Sequence, residues 1–249
     1  MDVLAVNVPA AAPTPRTILS LFPQVDWSAH VHLALVVSQT SVPYAAVASS
    51  VLFAFAPLAD IRRIRDARNT LSLPFLPFFF YLLQSVMFLL YACATANTLL
   101  MLTTTLGTVM GASYVRVYYA FTDHKASARR WLSAGGLVAA ILVGVVATCN
   151  PAVAALYIGV PGNAVMIMTA VSPLAKVRHI VATRDASSLP VGMSVMNAVA
   201  GGIWTLYGML LDDMLVIFPN AVSTVVGLVQ VALILRYAPA GKDKRDHVV

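Results

Sequence analysis

Seven stretches of this chain run for about twenty residues each with almost no charge, the length a helix needs to cross the hydrocarbon of a bilayer. They lie near residues 38–59, 71–93, 98–120, 131–148, 152–174, 189–211 and 213–236. A backbone in lipid must satisfy its own N–H and C=O groups, so such stretches fold as helices or not at all. Composition agrees: 59% of the residues are hydrophobic and 10% charged, where a soluble domain carries about 25%. Mean hydropathy is +0.82, and too little polar surface is left to face water. The sequence therefore predicts an all-α, multi-pass integral membrane protein, in the plasma membrane or an endomembrane.

The basic residues test this segmentation, because loops on the cytoplasmic side collect Lys and Arg. Arg62, Arg63, Arg65 and Arg68 follow the first span, and Arg116, Lys125, Arg129 and Arg130 follow the third. Lys176, Arg178 and Arg184 follow the fifth, and Arg236, Lys242, Lys244 and Arg245 close the chain. Fifteen of sixteen cations thus share one side, with Arg16 alone opposite. The expected topology puts the N-terminus outside and the C-terminus in the cytoplasm. The net charge of +6 follows from this arrangement rather than from a nucleic-acid surface, since the cations flank spans and form no patch interleaved with aromatics. Lys242, Lys244 and Arg245 either touch anionic head groups or form a solvated tail. Cys93 and Cys149 fall near the outer ends of spans two and four, where a disulfide and two small buried side chains both fit.

The spans repeat. Ala56-Pro57-Leu58, a basic stretch, Asn69-Thr70, Pro77 and Phe88-Leu89-Leu90-Tyr91 are echoed by Ser172-Pro173-Leu174, Lys176 and Arg178, Thr183-Arg184, Pro190 and Trp204-Thr205-Leu206-Tyr207-Gly208. Two three-helix units separated by one extra helix run in the same direction through the membrane, so the repeats are parallel, an arrangement found in several transporters. The expected organisation is an N-terminal extension at 1–37, disordered or lying at the interface, with a first repeat at 38–120 and a linker helix with its loop at 121–150. A second repeat at 151–237 and a tail at 238–249 complete it. The extension carries four prolines and no basic stretch ahead of an apolar core, which makes it a poor signal peptide.

From Gly159 to Tyr237 the residues resemble the SWEET sugar transporters. Gly162-Asn163, Ser172-Pro173-Leu174, Thr183, Leu189-Pro190, Trp204, Tyr207-Gly208, Asp213, Pro219-Asn220, Gly227 and Gln230 stand where that family's pattern expects them, while the first repeat is more divergent. The resemblance implies two parallel three-helix repeats joined by a linker helix, and association into an oligomer that no sequence feature here decides. It gives Pro57, Pro77, Pro173 and Pro190 a gating role on the cytoplasmic side. Each proline lacks an N–H and clashes with the preceding turn, so bending and plain helix termination are both consistent with the spacing. Trp204 and Asn220 match the pocket aromatic and pocket amide; an indole face packs against sugar C–H groups, and an amide both donates to and accepts from hydroxyls. Packing for Trp204 and helix bridging for Asn220 are the plainer alternatives.

The equivalent positions in the first repeat depart from the pattern, with Phe88 for tryptophan and Thr104 for asparagine. Gln84, one helical turn before Phe88, is placed to restore an amide. By the same offsets Ser50, Phe53, Met166, Thr169 and Ala200 would line the cavity, and the bulk of Phe53 favours a monosaccharide. Tyr91 and Asp213 match an outer-gate pair in which a phenol donates to a carboxylate.

All ten acidic residues are Asp, and each falls in a loop, a span end or a tail. With no ionisable relay in mid-membrane, the expected activity is bidirectional, uncoupled sugar facilitation by alternating access, without cofactor or metal. Another small solute on the same fold, or a non-conducting sugar sensor, are the rivals. An enzyme finds no support, for no spacing suggests a nucleophile with its base, a metal site or a phosphate loop. The topology is directly testable. In a chain freed of Cys93 and Cys149, Thr95→Cys should react with an impermeant maleimide added outside intact cells and Asp66→Cys should not; the reverse pattern would invert the orientation.

Overall fold

The computed structural model describes residues 29–70, 73–172, 174, 177–186, 189 and 191–237, with side chains from residue 39 onward. The chain divides into two units, Met1–Thr40 and Ser41–Val249, and the packing below belongs to the second. Nine helices are described: α1 Ala29–Phe55, α2 Leu58–Ala67, α3 Leu76–Ala94, α4 Thr98–Phe121, α5 Lys125–Thr148, α6 Pro151–Val171, α7 Val177–Thr183, α8 Val191–Leu211 and α9 Met214–Tyr237. Among the described residues seven spans are long and apolar enough to cross a membrane, the first running from Gln39 through α1 and α2 to Ala67. The protein is a multi-pass membrane protein of seven helical spans.

Boundaries differ from the sequence expectation where charge, not helicity, marks the edge of the hydrocarbon. The fourth span begins at Lys125 rather than at 131 and carries exposed Arg129 and Arg130 in its first turns, because long basic side chains reach water from a helix that continues past the lipid core. The first helix likewise starts at Ala29, ahead of residue 38.

Pro57 interrupts the first span. It has no N–H to offer Phe53, whose carbonyl accepts instead from Ala56 N at 3.2 Å, and the helix restarts with Ile61 N donating to Pro57 O at 3.0 Å. Pro77 occupies the first turn of α3, where an N–H would have no helical partner in any case. Pro173 and Pro190 lie outside the described residues.

Duplication is written in the backbone. Among the described residues four non-glycines adopt positive φ, namely Arg68, Ala96, Arg184 and Asp212, and they form two pairs, each separated by 116 residues. At Ala96 and Asp212 the left-handed residue ends one helix in a Schellman turn. Asn97 N reaches back to Ala92 O, and Asp213 N to Gly208 O, both at 3.0 Å. The next helix starts at once, so α3 turns into α4 as α8 turns into α9.

Within each repeat, glycines let helices approach closely, the usual solution where lipid supplies no hydrophobic drive between them. A Cβ at Gly111 would lie 3.0 Å from the Leu82 backbone, joining α4 to α3. At Gly208 it would lie 2.9 Å from Ile217 N and at Gly227 2.9 Å from the Ala198 Cα, joining α8 to α9. The linker α5 buries only Ala128, Gly135 and Leu142, a stripe at seven-residue spacing that packs mainly on α3 and also on α6, with most of its other side chains exposed.

Among the described residues apolar packing forms three clusters with an uneven distribution. One, near the α3–α4 and α8–α9 turns, unites both repeats and the linker around Met87, Tyr91, Leu100, Leu142, Ile158 and Val216. At the arginine-rich end the repeats have separate clusters, Ile61, Ile64, Phe78, Tyr114 and Tyr118 in the first and Ile180, Ala186 and Leu189 in the second. Because the Gly227 position meets backbone rather than a movable side chain, Gly227→Ala should cost about 1–3 kcal/mol, the range for overpacking a tight interface. A thermal melt of the purified protein in detergent, unchanged from the parent, would refute that.

Candidate functional site

The two turns that repeat also exchange hydrogen bonds across the repeats. Tyr91, near the end of α3, donates from its phenol to Asp213 Oδ2 at 2.6 Å. Tyr207, near the end of α8, donates to Asn97 Oδ1 at 3.1 Å. Each acceptor also caps the helix that follows it: Asn97 Oδ1 accepts from Leu100 N and Asp213 Oδ1 from Leu215 N, both at 3.0 Å. Each repeat therefore sends a tyrosine into the other's turn, and both phenols are buried, Tyr91 to 2% and Tyr207 to 6% exposure. The paired gate residues read from the sequence are thus in contact. The second bond was not anticipated, although its residues sit 116 positions from Tyr91 and Asp213, and the repeat offset would have pointed to both.

The two latches differ in chemistry. A carboxylate acceptor gives a shorter and stronger bond than an amide, consistent with the two distances. A turn deeper, Trp204 Nε1 on α8 donates to Ser50 Oγ on α1 at 3.1 Å, bringing together two of the residues expected to line a cavity. The Trp204 ring meets Tyr207 edge to face at 5.4 Å, and Phe88 meets Tyr91 in the same manner at 6.5 Å. Phe88 and Trp204 both pack against the cluster that unites the repeats.

The other expected lining residues occupy varied settings. Asn220 is half-buried on α9, and its Nδ2 donates to Val216 O of its own helix at 2.8 Å, a bond that uses one of the two N–H donors of the amide. Thr104 Oγ1 bonds Leu100 O at 2.6 Å, again within its helix. Phe53 lies 6.3 Å from the Tyr81 ring. Gln84 and Met166 are half-buried, Thr169 is exposed with its hydroxyl bonded to Met166 O, and Ala200 is buried on α8. By the repeat offset Ser50, Trp204 and Asn220 correspond to Met166, Phe88 and Thr104, and Gln84 corresponds to Ala200, so equivalent positions of the two repeats differ in their hydrogen-bonding groups.

An open groove of about 420 Å³ runs between α8 and α9, lined by Gly202, Thr205, Leu206, Ala221, Thr224 and Val225. Its two hydroxyls are committed to their own helix, to Gly201 O and Asn220 O at 2.8 Å each. Hydrocarbon fits it better than a polar solute. Cys93 and Cys149 are both free thiols.

The family described as the sugar efflux transporter for intercellular exchange matches the chain twice, over residues 40–126 and 156–242. The chain belongs to the SWEET family. It is 30% identical over 203 residues to the bidirectional sugar transporter SWEET16 of Oryza sativa subsp. japonica, an alignment covering 78% of this chain and 62% of the relative. It thus spans less than two thirds of that rice SWEET. With the sugar transporter SWEET1 of Dictyostelium discoideum it shares 21% identity over 206 residues, 80% of this chain and 94% of that one. A solved eukaryotic SWEET transporter has the same fold, with a TM-score of 0.73 at 22% identity over 81% of this chain and 97% of the other. The two matched segments of this SWEET fall on the two halves that exchange tyrosines.

The unequal latches make a measurable forecast. Tyr91→Phe should destabilise the purified protein by about 1.5 kcal/mol or more, and Tyr207→Phe by about 0.5–1 kcal/mol, the difference between charged and neutral acceptors. Equal losses in thermal melts would remove the distinction.

Proposed function

We propose that this SWEET is a bidirectional, uncoupled sugar facilitator that works by alternating access around the Trp204–Asn220 region. The observation that carries this reading is the distribution of packing. At the latched end a single cluster and two exchanged phenols tie the repeats together, while among the described residues at the arginine-rich end each repeat keeps its own cluster. A solute between them would be closed off on one side and approachable from the other. With the arginines in the cytoplasm, the latched end faces outside.

Pro57 supports the moving part. It breaks the first span next to the arginine-rich end, where a hinge can swing without disturbing the latches. Trp204, Ser50 and Asn220 supply what a neutral polyol needs: an aromatic face, a hydroxyl and an amide, in an otherwise apolar setting. The Trp204–Ser50 bond and the Asn220–Val216 bond are each replaceable by a sugar hydroxyl, which keeps binding weak, as a carrier without an energy source requires. The bulk of Phe53 favours a monosaccharide. Every described Asp lies at a helix end or in a loop, which supports uncoupled transport. The rice and Dictyostelium relatives are named as sugar transporters, and this agrees with the same cargo here.

Uptake of labelled glucose into proteoliposomes, with other hexoses and sucrose as competitors, tests the proposal. Saturable flux indifferent to a pH gradient, falling about tenfold or more in Asn220→Ala as a buried hydrogen-bonding partner is lost, is the expected result. Gradient-driven flux would sink the uncoupled mechanism, and no flux of any sugar from folded protein would turn the reading toward another solute or a sensor.

A further inference from the structure

Pro219 lies inside α9 and has no N–H. The Leu215 carbonyl, four residues earlier, therefore lacks its ordinary helical donor, and a carbonyl in that position within lipid or protein needs another. The donor comes from a different helix: Asn163 Nδ2, on α6, donates to Leu215 O at 2.8 Å. The opposite amide assignment would set two oxygens at that distance, so the nitrogen faces the carbonyl. Asn163 is buried to 6% exposure, and its Oδ1 has no partner among the described residues. The Nδ2 bond is what orients it.

We infer that Asn163 is a positioning residue: its amide substitutes for the N–H that Pro219 lacks and holds the first turn of α9 against α6. The bond stands on its own, but its consequence for transport rests on the function proposed above. Leu215 is clamped on both faces of its backbone, since its N–H meets Asp213 Oδ1 at 3.0 Å while its carbonyl meets Asn163. Asp213 in turn holds Tyr91. The same short stretch therefore carries the latch at one end and Asn220 at the other, with Asn163 gripping it between. Gly159, one turn before Asn163, allows the approach: a Cβ there would lie 2.9 Å from Leu215 Cδ1 and 3.0 Å from the Tyr91 ring.

The first repeat is a built-in control. The positions 116 residues before Asn163, Leu215 and Pro219 hold Val47, Leu99 and Thr103. Threonine keeps its N–H, and valine has no donor to give. The amide occurs where the proline occurs and is missing where it is missing.

This defines a double-mutant cycle of Asn163→Val and Pro219→Ala, read by thermal melting and by sugar flux at low concentration in proteoliposomes. Asn163→Val alone should lower the melting temperature and cut flux about tenfold, as expected for stranding a buried carbonyl. With Pro219→Ala restoring the N–H, the same valine should change flux by less than about twofold relative to Pro219→Ala alone. If Asn163→Val alone fails to fold, recovery of a folded protein in the double variant supports the inference, and failure of both counts against it. Additive effects in the melts overturn it. The melting cycle needs no transported solute, so it reports on the bond even if the chain carries no sugar, whereas absent flux with a coupled melting cycle would fault only the functional reading.

Discussion

The exchange of tyrosines between repeats is the constraint on which the rest of the arrangement depends. Two three-helix units in lipid have little reason to stay together, because hydrocarbon solvates their outer faces as well as a partner would. The Tyr91–Asp213 and Tyr207–Asn97 bonds are directional, buried and placed at the same end. Their acceptors are also helix caps, so losing a latch loosens the start of a helix as well as the contact between repeats. The apolar cluster around Met87, Ile158 and Val216 can close there because the turns are already in register.

Rigid halves are the second requirement. The glycine contacts between α3 and α4 and between α8 and α9 bring backbones within van der Waals distance, and well-packed interfaces of this kind shift as units rather than deform. The motion proposed above would then fall to places where packing is interrupted, such as the helix break at Pro57. Exposed ion pairs such as Arg63–Asp60 at 3.7 Å contribute little to holding the arginine-rich end, since solvent screens them.

Much of this was legible in the sequence, and the remainder was hidden for identifiable reasons. The seven spans follow from apolar length, and the repeats follow from motifs whose chemistry survives divergence, such as a proline beside a basic stretch. Tyr91 and Asp213 were legible through the family resemblance, which pairs a phenol with a carboxylate at those two span ends. The pairing of Tyr207 with Asn97 was hidden because an asparagine before a helix already has a reason to exist as a cap, and that role conceals a second one. Asn163 was legible only as part of a motif, since its partner is a backbone carbonyl whose sole trace in the sequence is a proline four residues further on. The start of the fourth span was misplaced because arginines were read as the edge of a helix when they mark only the edge of the lipid.

Under the proposed mechanism, two bonds of unequal strength would also break the equivalence of the two halves in time. In the alternating access proposed for this chain, the bond to Asn97 would rupture at lower cost than the charged bond to Asp213, so separation would begin on the α8 side and move toward α3. Such an order cannot favour import over export. The same bonds are remade in reverse as the end closes, and a passive barrier that is asymmetric in space changes the rates of forward and backward passage alike. On that mechanism the asymmetry would provide a half-open intermediate, one bond released and one held, in which the turn at Asn97 meets water while the turn at Asp213 is still sealed.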